Sequence, residues 1–123
     1  MIEHRGRKTG KLFRTVLEVA GRNLEASEWI VSTGYGTESD WYQNLKAGTL
    51  QAVWVGSKRF AGPTVRFLES DEAADVIAVY EREHPKSASV LFKSMGVSHD
   101  GTHEGRAEMM KQIPMVAFGV LGG

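Results

Sequence analysis

Residues 6–11 form a glycine-flanked basic segment whose residue types suit the binding of an anion. They are Gly6, Arg7, Lys8, Thr9, Gly10 and Lys11, and Arg14 follows closely. Glycine lets a backbone turn tightly and approach a ligand, while backbone N–H groups, a hydroxyl and cationic side chains bind phosphate well. The whole chain is balanced, with 15 basic and 15 acidic residues, so a local cationic cluster indicates a specific anion rather than a polyanion surface. The alternative is a solvated basic loop.

A second candidate pair, Trp41 and Asn44, stands one helical turn apart and could face one cavity. An aromatic wall beside an amide suits a flat heteroaromatic ring. Spacing alone favours the plainer alternative, in which Trp41 is a core residue and Asn44 bonds locally.

Other chemical motifs are absent or incomplete. Residues 6–11 are one residue short of a P-loop, and Leu12 stands where Ser or Thr would hold magnesium. The sequence contains neither G-x-G-x-x-G nor G-x-S-x-G. His99 and His103 could share a metal on one helix face, but Gly101 and Gly105 disfavour a helix there. We therefore predict a polar loop over Val97–Gly105 and no metal site.

Composition narrows the class of protein. The 123 residues suit one domain spanning 1–123. The lack of cysteine excludes disulfides, iron–sulfur clusters and thiol catalysis. Zero formal net charge argues against nucleic-acid coating or binding to an anionic membrane. No apolar run is long enough to span a bilayer and no secretory signal is evident, so we expect a cytoplasmic protein.

The elements that must position these residues follow from hydrophobic periodicity. Patterns predict strands over Phe13–Ala20, Trp29–Thr33, Leu50–Val55, Lys58–Glu69 (interrupted at Gly62-Pro63) and Ile113–Leu121, with a turn at Gly21–Asn23. They predict helices from a Thr37 cap to Ala47, over Asp71–His84 with Ser70 as cap, and over Lys86–Met95. The apolar last strand is expected to be buried on both faces. This order favours an α+β, mainly β fold, an antiparallel and partly open barrel with helices packed on it.

Several segments, taken in order, resemble the deazaflavin-dependent nitroreductase and quinone reductase family. They are residues 6–11, Arg14–Leu17, the strand ending at Ser32-Thr33, Asp40–Gly48 and Gln112–Val116. The resemblance implies a split β-barrel like that of FMN-binding oxidase-like proteins. It also implies reduced coenzyme F420, an 8-hydroxy-5-deazaflavin, as hydride donor to quinones, nitroaromatics or other unsaturated small molecules.

The resemblance also suggests roles for individual residues. Arg7, Lys8 and Thr9 would hold the phosphate or acidic tail of the cofactor with help from Arg14, and Trp41 and Asn44 would line the ring pocket. The full set of expected cofactor-binding residues is Arg7, Lys8, Thr9, Lys11, Arg14, Val16, Thr33, Gly34, Trp41 and Asn44. Tyr35, Tyr42 and Ser32 are candidates for supplying the proton that follows the hydride.

Three alternatives stay open at this point. The same fold could bind FMN or haem instead of F420. The chain could also be a non-catalytic cofactor carrier, or a binding module for an anionic small molecule. A homodimer is possible, since the apolar Ile113–Leu121 strand could lie near an interface or simply be buried in a monomer.

Overall fold

The computed structural model describes residues 1–23, 27–32 and 40–119 of the 123-residue chain. Within these ranges the strands are β1 Ile2–Arg5, β2 Leu12–Thr15, β3 Glu18–Asn23, β4 Glu28–Ser32, β5 Leu50–Val55, β6 Lys58–Ala61, β7 Thr64–Phe67 and β8 Met115–Gly119. The helices are α1 Asp40–Lys46, α2 Ser70–Glu83, α3 Pro85–Met95 and α4 His103–Met110. The α+β, strand-rich class predicted from the sequence is confirmed.

The strands form two antiparallel sheets of four strands each. Sheet one has the order β2-β1-β5-β6 and sheet two the order β3-β4-β8-β7. Consecutive strands form hairpins within one sheet, as in β1–β2, β3–β4 and β5–β6. The chain then passes to the other sheet, so each sheet combines strands from distant parts of the sequence. The split β-barrel as such stays a prediction.

The inner strand β8 of sheet two is buried on both faces, which explains its apolar sequence. Met115 and Ala117 belong to a core cluster with α2, α3 and α4. Val116 and Phe118 belong to a second cluster with residues of sheet one and α1. Because successive side chains of a strand point to opposite faces, β8 supplies both cores in alternation, and the prediction of a strand buried on both faces is confirmed.

The predicted strand over Phe13–Ala20 is wrong as one element. It is divided into β2 in sheet one and β3 in sheet two, with the break at Val16 and Leu17. Leu17 is 8% exposed within the core while Val16 is 80% exposed. The expected turn at Gly21–Asn23 is also wrong, because these residues extend β3 against β4. The four-residue strand β1 was not predicted.

Two further predictions need correction. The polar stretch Val97–Gly105 was predicted to be a loop, but its end forms the start of α4. The Thr102 hydroxyl oxygen accepts a hydrogen bond from the Gly105 N–H at 3.0 Å. Gly105 is thus tolerated inside the first helical turn because that turn is capped. Helix α2 has Glu69, not Ser70, at its N-cap position. The interruption at Gly62-Pro63 is confirmed, and it separates β6 from β7.

Candidate functional site

The basic segment is the loop of the β1–β2 hairpin. The Gly6 N–H donates to the Lys11 carbonyl at 2.8 Å, and the Gly10 N–H donates to the Gly6 carbonyl at 2.9 Å. Gly10 has φ = +71°, a conformation that favours glycine. A Cβ on Gly6 would lie 3.0 Å from Thr9 Oγ1. The two glycines therefore allow the tight loop that presents the cations between them.

A cleft of about 660 Å³ lies between this hairpin and the start of α1, and its size is typical of small-molecule sites. It is lined by His4, Gly6, Arg7, Lys8, Thr9, Phe13, Arg14, Thr15, Asp40, Trp41 and Asn44. The cations Arg7, Lys8 and Arg14 outnumber the single lining carboxylate, Asp40. The cleft is therefore suited to an anionic ligand.

The Asn44 side chain bonds both the loop of the β1–β2 hairpin and strand β1. The side chain is on α1, and the residue is 2% exposed. Its Oδ1 accepts from the Arg7 backbone N–H at 3.1 Å and from Arg7 Nη1 at 2.8 Å. Its Nδ2 lies 3.1 Å from His4 Nδ1. The local role that spacing favoured for Asn44 is thus a long-range one, because it joins α1 to both the hairpin loop and β1.

His4 forms the floor of the cleft and is 2% exposed. Its Nε2 lies 3.0 Å from Thr15 Oγ1, and its ring stacks on Phe13 with centroids 5.8 Å apart. Burial lowers the pKa of His4, and the negative charge of Asp40 opposes this only partly. Burial therefore favours the neutral form of the ring.

Arg14 takes part in an ion cluster on the other face of β1. Its Nε lies 3.3 Å from Glu3 Oε1, and Arg59 Nη2 lies 3.1 Å from Glu3 Oε2. The indole N–H of Trp54 also donates to Glu3 at 2.8 Å. These hydrogen bonds, that of Trp54 first, lower the pKa of Glu3. The Arg14 side chain keeps 60% of its surface exposed, so it lines the cleft while being anchored.

Trp41 is 4% exposed and packs edge-on against Tyr42. Within the part of the chain that the structure describes, Trp41 Nε1 and Ser32 Oγ are the buried side-chain atoms without a hydrogen-bond partner. A buried donor without a partner is costly. Trp41 therefore lines the cleft with a largely buried indole whose N–H has no acceptor among the described residues.

The predicted site residues divide into three groups. The cleft brings together Arg7, Lys8, Thr9, Arg14, Trp41 and Asn44. Lys11, Val16, Tyr42 and Ser32 are not among its lining residues; Tyr42, for instance, packs edge-on against Phe67. Thr33, Gly34 and Tyr35 lie outside the described residues, as does the Thr37 cap.

Sequence reasoning did not assign His4, Asp40, Phe13 or Thr15 to the site. Asp40 was noted only as the start of the Asp40–Gly48 segment, and His4 belongs to a strand too short to show periodicity. Histidines 99 and 103 lie elsewhere and bond separate acids: His99 Nε2 is 2.8 Å from Glu81, and His103 lies beside Asp71 and Asp75.

Comparison with solved structures shows which fold the chain has. A solved structure of an F420-H2 dependent reductase (FDR-A) aligns with a TM-score of 0.61 over 95% of this chain and 90% of that chain, at 21% sequence identity. At this identity the likeness supports the fold. No functionally curated protein sequence matches the chain significantly.

Residues 1–95 match the model of the family described as F420H(2)-dependent quinone reductase, and the chain belongs to this family. Membership implies a reductase with coenzyme F420 as cofactor and a small molecule as substrate. Among the described residues, no helix is both long and apolar enough to cross a membrane.

Proposed function

We propose that the cleft between the β1–β2 hairpin and α1 binds coenzyme F420, and that the chain reduces a quinone, nitroaromatic or other unsaturated acceptor with it. The observation that carries this proposal is the convergence in one cleft of the loop cations and the Trp41–Asn44 pair. These two segments were selected independently in the sequence.

The residues present suit such a cofactor. Arg7, Lys8, Arg14 and the Thr9 hydroxyl would hold its anionic end, because cationic and hydroxyl donors bind phosphate and carboxylate groups through charge-assisted hydrogen bonds. The indole of Trp41 would form the wall beside the flat rings. When bound, reduced F420 supplies the hydride.

The chain's own contribution is binding, orientation and the exclusion of water. The buried residues Trp41, Asn44 and His4 line the cleft and would limit the access of water to a bound ligand. For the proton that follows the hydride, Ser32, Tyr35 and Tyr42 remain candidates. Ser32 and Tyr42 lie in the described ranges but do not line the cleft, and the buried Oγ of Ser32 has no hydrogen-bond partner among the described residues.

Lys8→Ala tests the site. No described carboxylate forms an ion pair with Lys8, which is exposed on the loop, so its charge is available to a ligand. We expect the affinity for oxidised F420, measured by fluorescence titration, to fall by about 1–3 kcal/mol, as for a hydrogen bond to a charged group.

Lys86→Ala on α3 is the matched control, because it removes the same charge from an exposed position outside the cleft. Gln51→Ala is a neutral control. An equal loss of affinity in Lys8→Ala and Lys86→Ala would contradict a cradle at the hairpin loop.

Two measurements separate the alternatives. Tight binding of FMN without binding of F420 would overturn the cofactor assignment. Binding of F420H2 without its oxidation by any quinone, nitro or enone acceptor would indicate a carrier rather than a reductase.

A further inference from the structure

The buried hydrogen bonds beneath the loop fix the protonation of His4 by elimination. Two N–H donors of Arg7 point at one atom of the Asn44 amide, at 3.1 and 2.8 Å, so that atom must be the acceptor Oδ1. The other amide atom, Nδ2, is then the donor toward His4 Nδ1 at 3.1 Å. His4 Nδ1 must accept, and its proton lies on Nε2, which donates to Thr15 Oγ1.

This arrangement admits no second proton on the ring. A proton on His4 Nδ1 would face the N–H₂ group of Asn44, which places two donors together. Turning the amide over would satisfy His4 but would direct Nδ2 at the Arg7 backbone N–H and guanidinium, again opposing donors. Protonated His4 and Asn44-bound Arg7 are therefore incompatible.

We propose that His4 is a positioning residue for the cleft, whose neutral ring, acting through Asn44, holds the Arg7 guanidinium in place and whose protonation releases it. This rests on the proposed function, in which Arg7 contacts the anionic end of the cofactor. Acidification would then weaken anion binding because Arg7 is released. This is the opposite of what the added positive charge on His4 alone would cause.

The charged groups around His4 support the expectation that acidification weakens anion binding. The described ones lining the same cleft are Asp40 from α1, Arg14 from β2, and Arg7 and Lys8 from the loop. Leu50 of β5 is its strand neighbour on the other side. After release from Asn44, the partner that Arg7 keeps among the described residues is Asp40, whose carboxylate is 3.6 Å away and 90% exposed, and such a pair is weak.

The first experiment uses the protein without any cofactor. Long-range ¹H–¹⁵N spectra should show His4 as the Nε2–H tautomer at pH 7.5, with His84, His99 and His103 as internal references. On acidification the Asn44 side-chain amide and the Arg7 guanidinium signals should shift together with the His4 ring. An Nδ1–H tautomer, or titration of His4 without movement of the Asn44 amide, would overturn the proposal.

The second experiment measures oxidised F420 affinity between pH 5 and 8 in the wild type and in His4→Asn, whose side-chain oxygen can accept from Asn44 without titrating. Taking the ratio of the two dissociation constants at each pH cancels the titration of the cofactor's own acidic groups. We expect the wild type to weaken relative to His4→Asn by at least fivefold at pH 5. A constant ratio, or relative tightening in acid, contradicts the proposal.

A double-mutant cycle separates positioning from general damage to the fold. His4→Ala should weaken F420 binding at pH 7.5 several-fold in the wild type and have no further effect in an Arg7→Ala background. Equal losses in both backgrounds would show that His4 does not act through Arg7. If neither the wild type nor any variant binds F420 at any pH, the proposed function is wrong. The spectra of the cofactor-free protein would still decide whether His4 positions Arg7 through Asn44.

Discussion

Each sheet takes part in an ion cluster of three charged groups, and the clusters are opposite in composition. All three groups lie in the sheet in sheet one, whereas at sheet two the third group, Glu72, comes from α2. In sheet one a single acid, Glu3, lies between Arg14 and Arg59. In sheet two a single cation, Arg66, bonds both Glu28 and Glu72. Each central group is fixed by two partners of opposite sign, but the surplus charge is positive beside the cleft and negative beside α2.

This difference separates a structural use of charge from a functional one. Arg66 binds the buried Glu28 through two nitrogens, at 3.1 and 2.8 Å, and thereby satisfies a carboxylate that would be costly alone. The hydrogen bonds from Arg66 to Glu72, and then those to Glu28, raise the pKa of Arg66, and the bond to Arg66 lowers the pKa of Glu72. In sheet one the surplus arginine, Arg14, extends into the cleft. The charge left over there is available to a ligand.

Among the variants that test this difference between the two clusters, Arg66→Met is expected to have the largest effect on stability. Removing the cation leaves Glu28 buried without its partner, so we expect the free energy of unfolding to fall by about 2 kcal/mol, less than for a fully buried pair because Arg66 is 43% exposed. Urea denaturation measures it, and affinity for F420 should not change.

Arg82→Met is the control for this variant, because Arg82 is an exposed arginine of α2. It should change the free energy of unfolding by no more than about 0.5 kcal/mol. If the Arg66→Met protein is fully folded but does not bind F420, the two clusters do not have separate roles.

Glu3→Gln is expected to have a smaller, pH-dependent effect. The folded state lowers the pKa of Glu3, so its carboxylate stabilises the fold at pH above about 4.3, the unfolded value, and this contribution is lost as the pH falls through the folded pKa. Urea midpoints measured from pH 3 to 7 should show the wild type more stable than Glu3→Gln at neutral pH, with the gap closing in acid.

The same variant should tighten F420 binding a few-fold, because Arg14 loses its carboxylate partner. A stability gap that is independent of pH would mean that hydrogen bonding by the side chain, and not its charge, matters at this position.

Asp40→Asn should have the smallest effect. Its exposed pair with Arg7 contributes about 0–1 kcal/mol to stability. The negative charge of Asp40 raises the pKa of His4, so its removal should move the acid loss of F420 binding to lower pH. Titrations of the two proteins in parallel measure the displacement, and a shift to higher pH would contradict the assigned sign.

Local signals predicted the elements that have clear boundaries. Leu50–Val55 was predicted with its observed limits, because a hairpin turn follows it, and α3 ends where Gly96 adopts φ = +67°. The break between β2 and β3 was missed because Val16 and Leu17 continue an apolar pattern. Only the placement of the two sheets makes one of these residues exposed and the other buried.

Only the part of the candidate site that is formed by residues close together in the sequence could be predicted. The loop cations and the Trp41–Asn44 pair are visible in short windows of sequence. The importance of His4 depends on Asn44, 40 residues later, and on Thr15 across the hairpin. No local pattern carries such a contact, so a single histidine near the start of the chain could not be interpreted.

The position of β8 in its sheet has a consequence for biosynthesis. This strand lies between β4 and β7, although it comes last in the described chain. During translation, β4 has no partner on that side until residues 115–119 leave the ribosome. Sheet two must therefore assemble late, and its apolar strands stay exposed to chaperones or to aggregation until then.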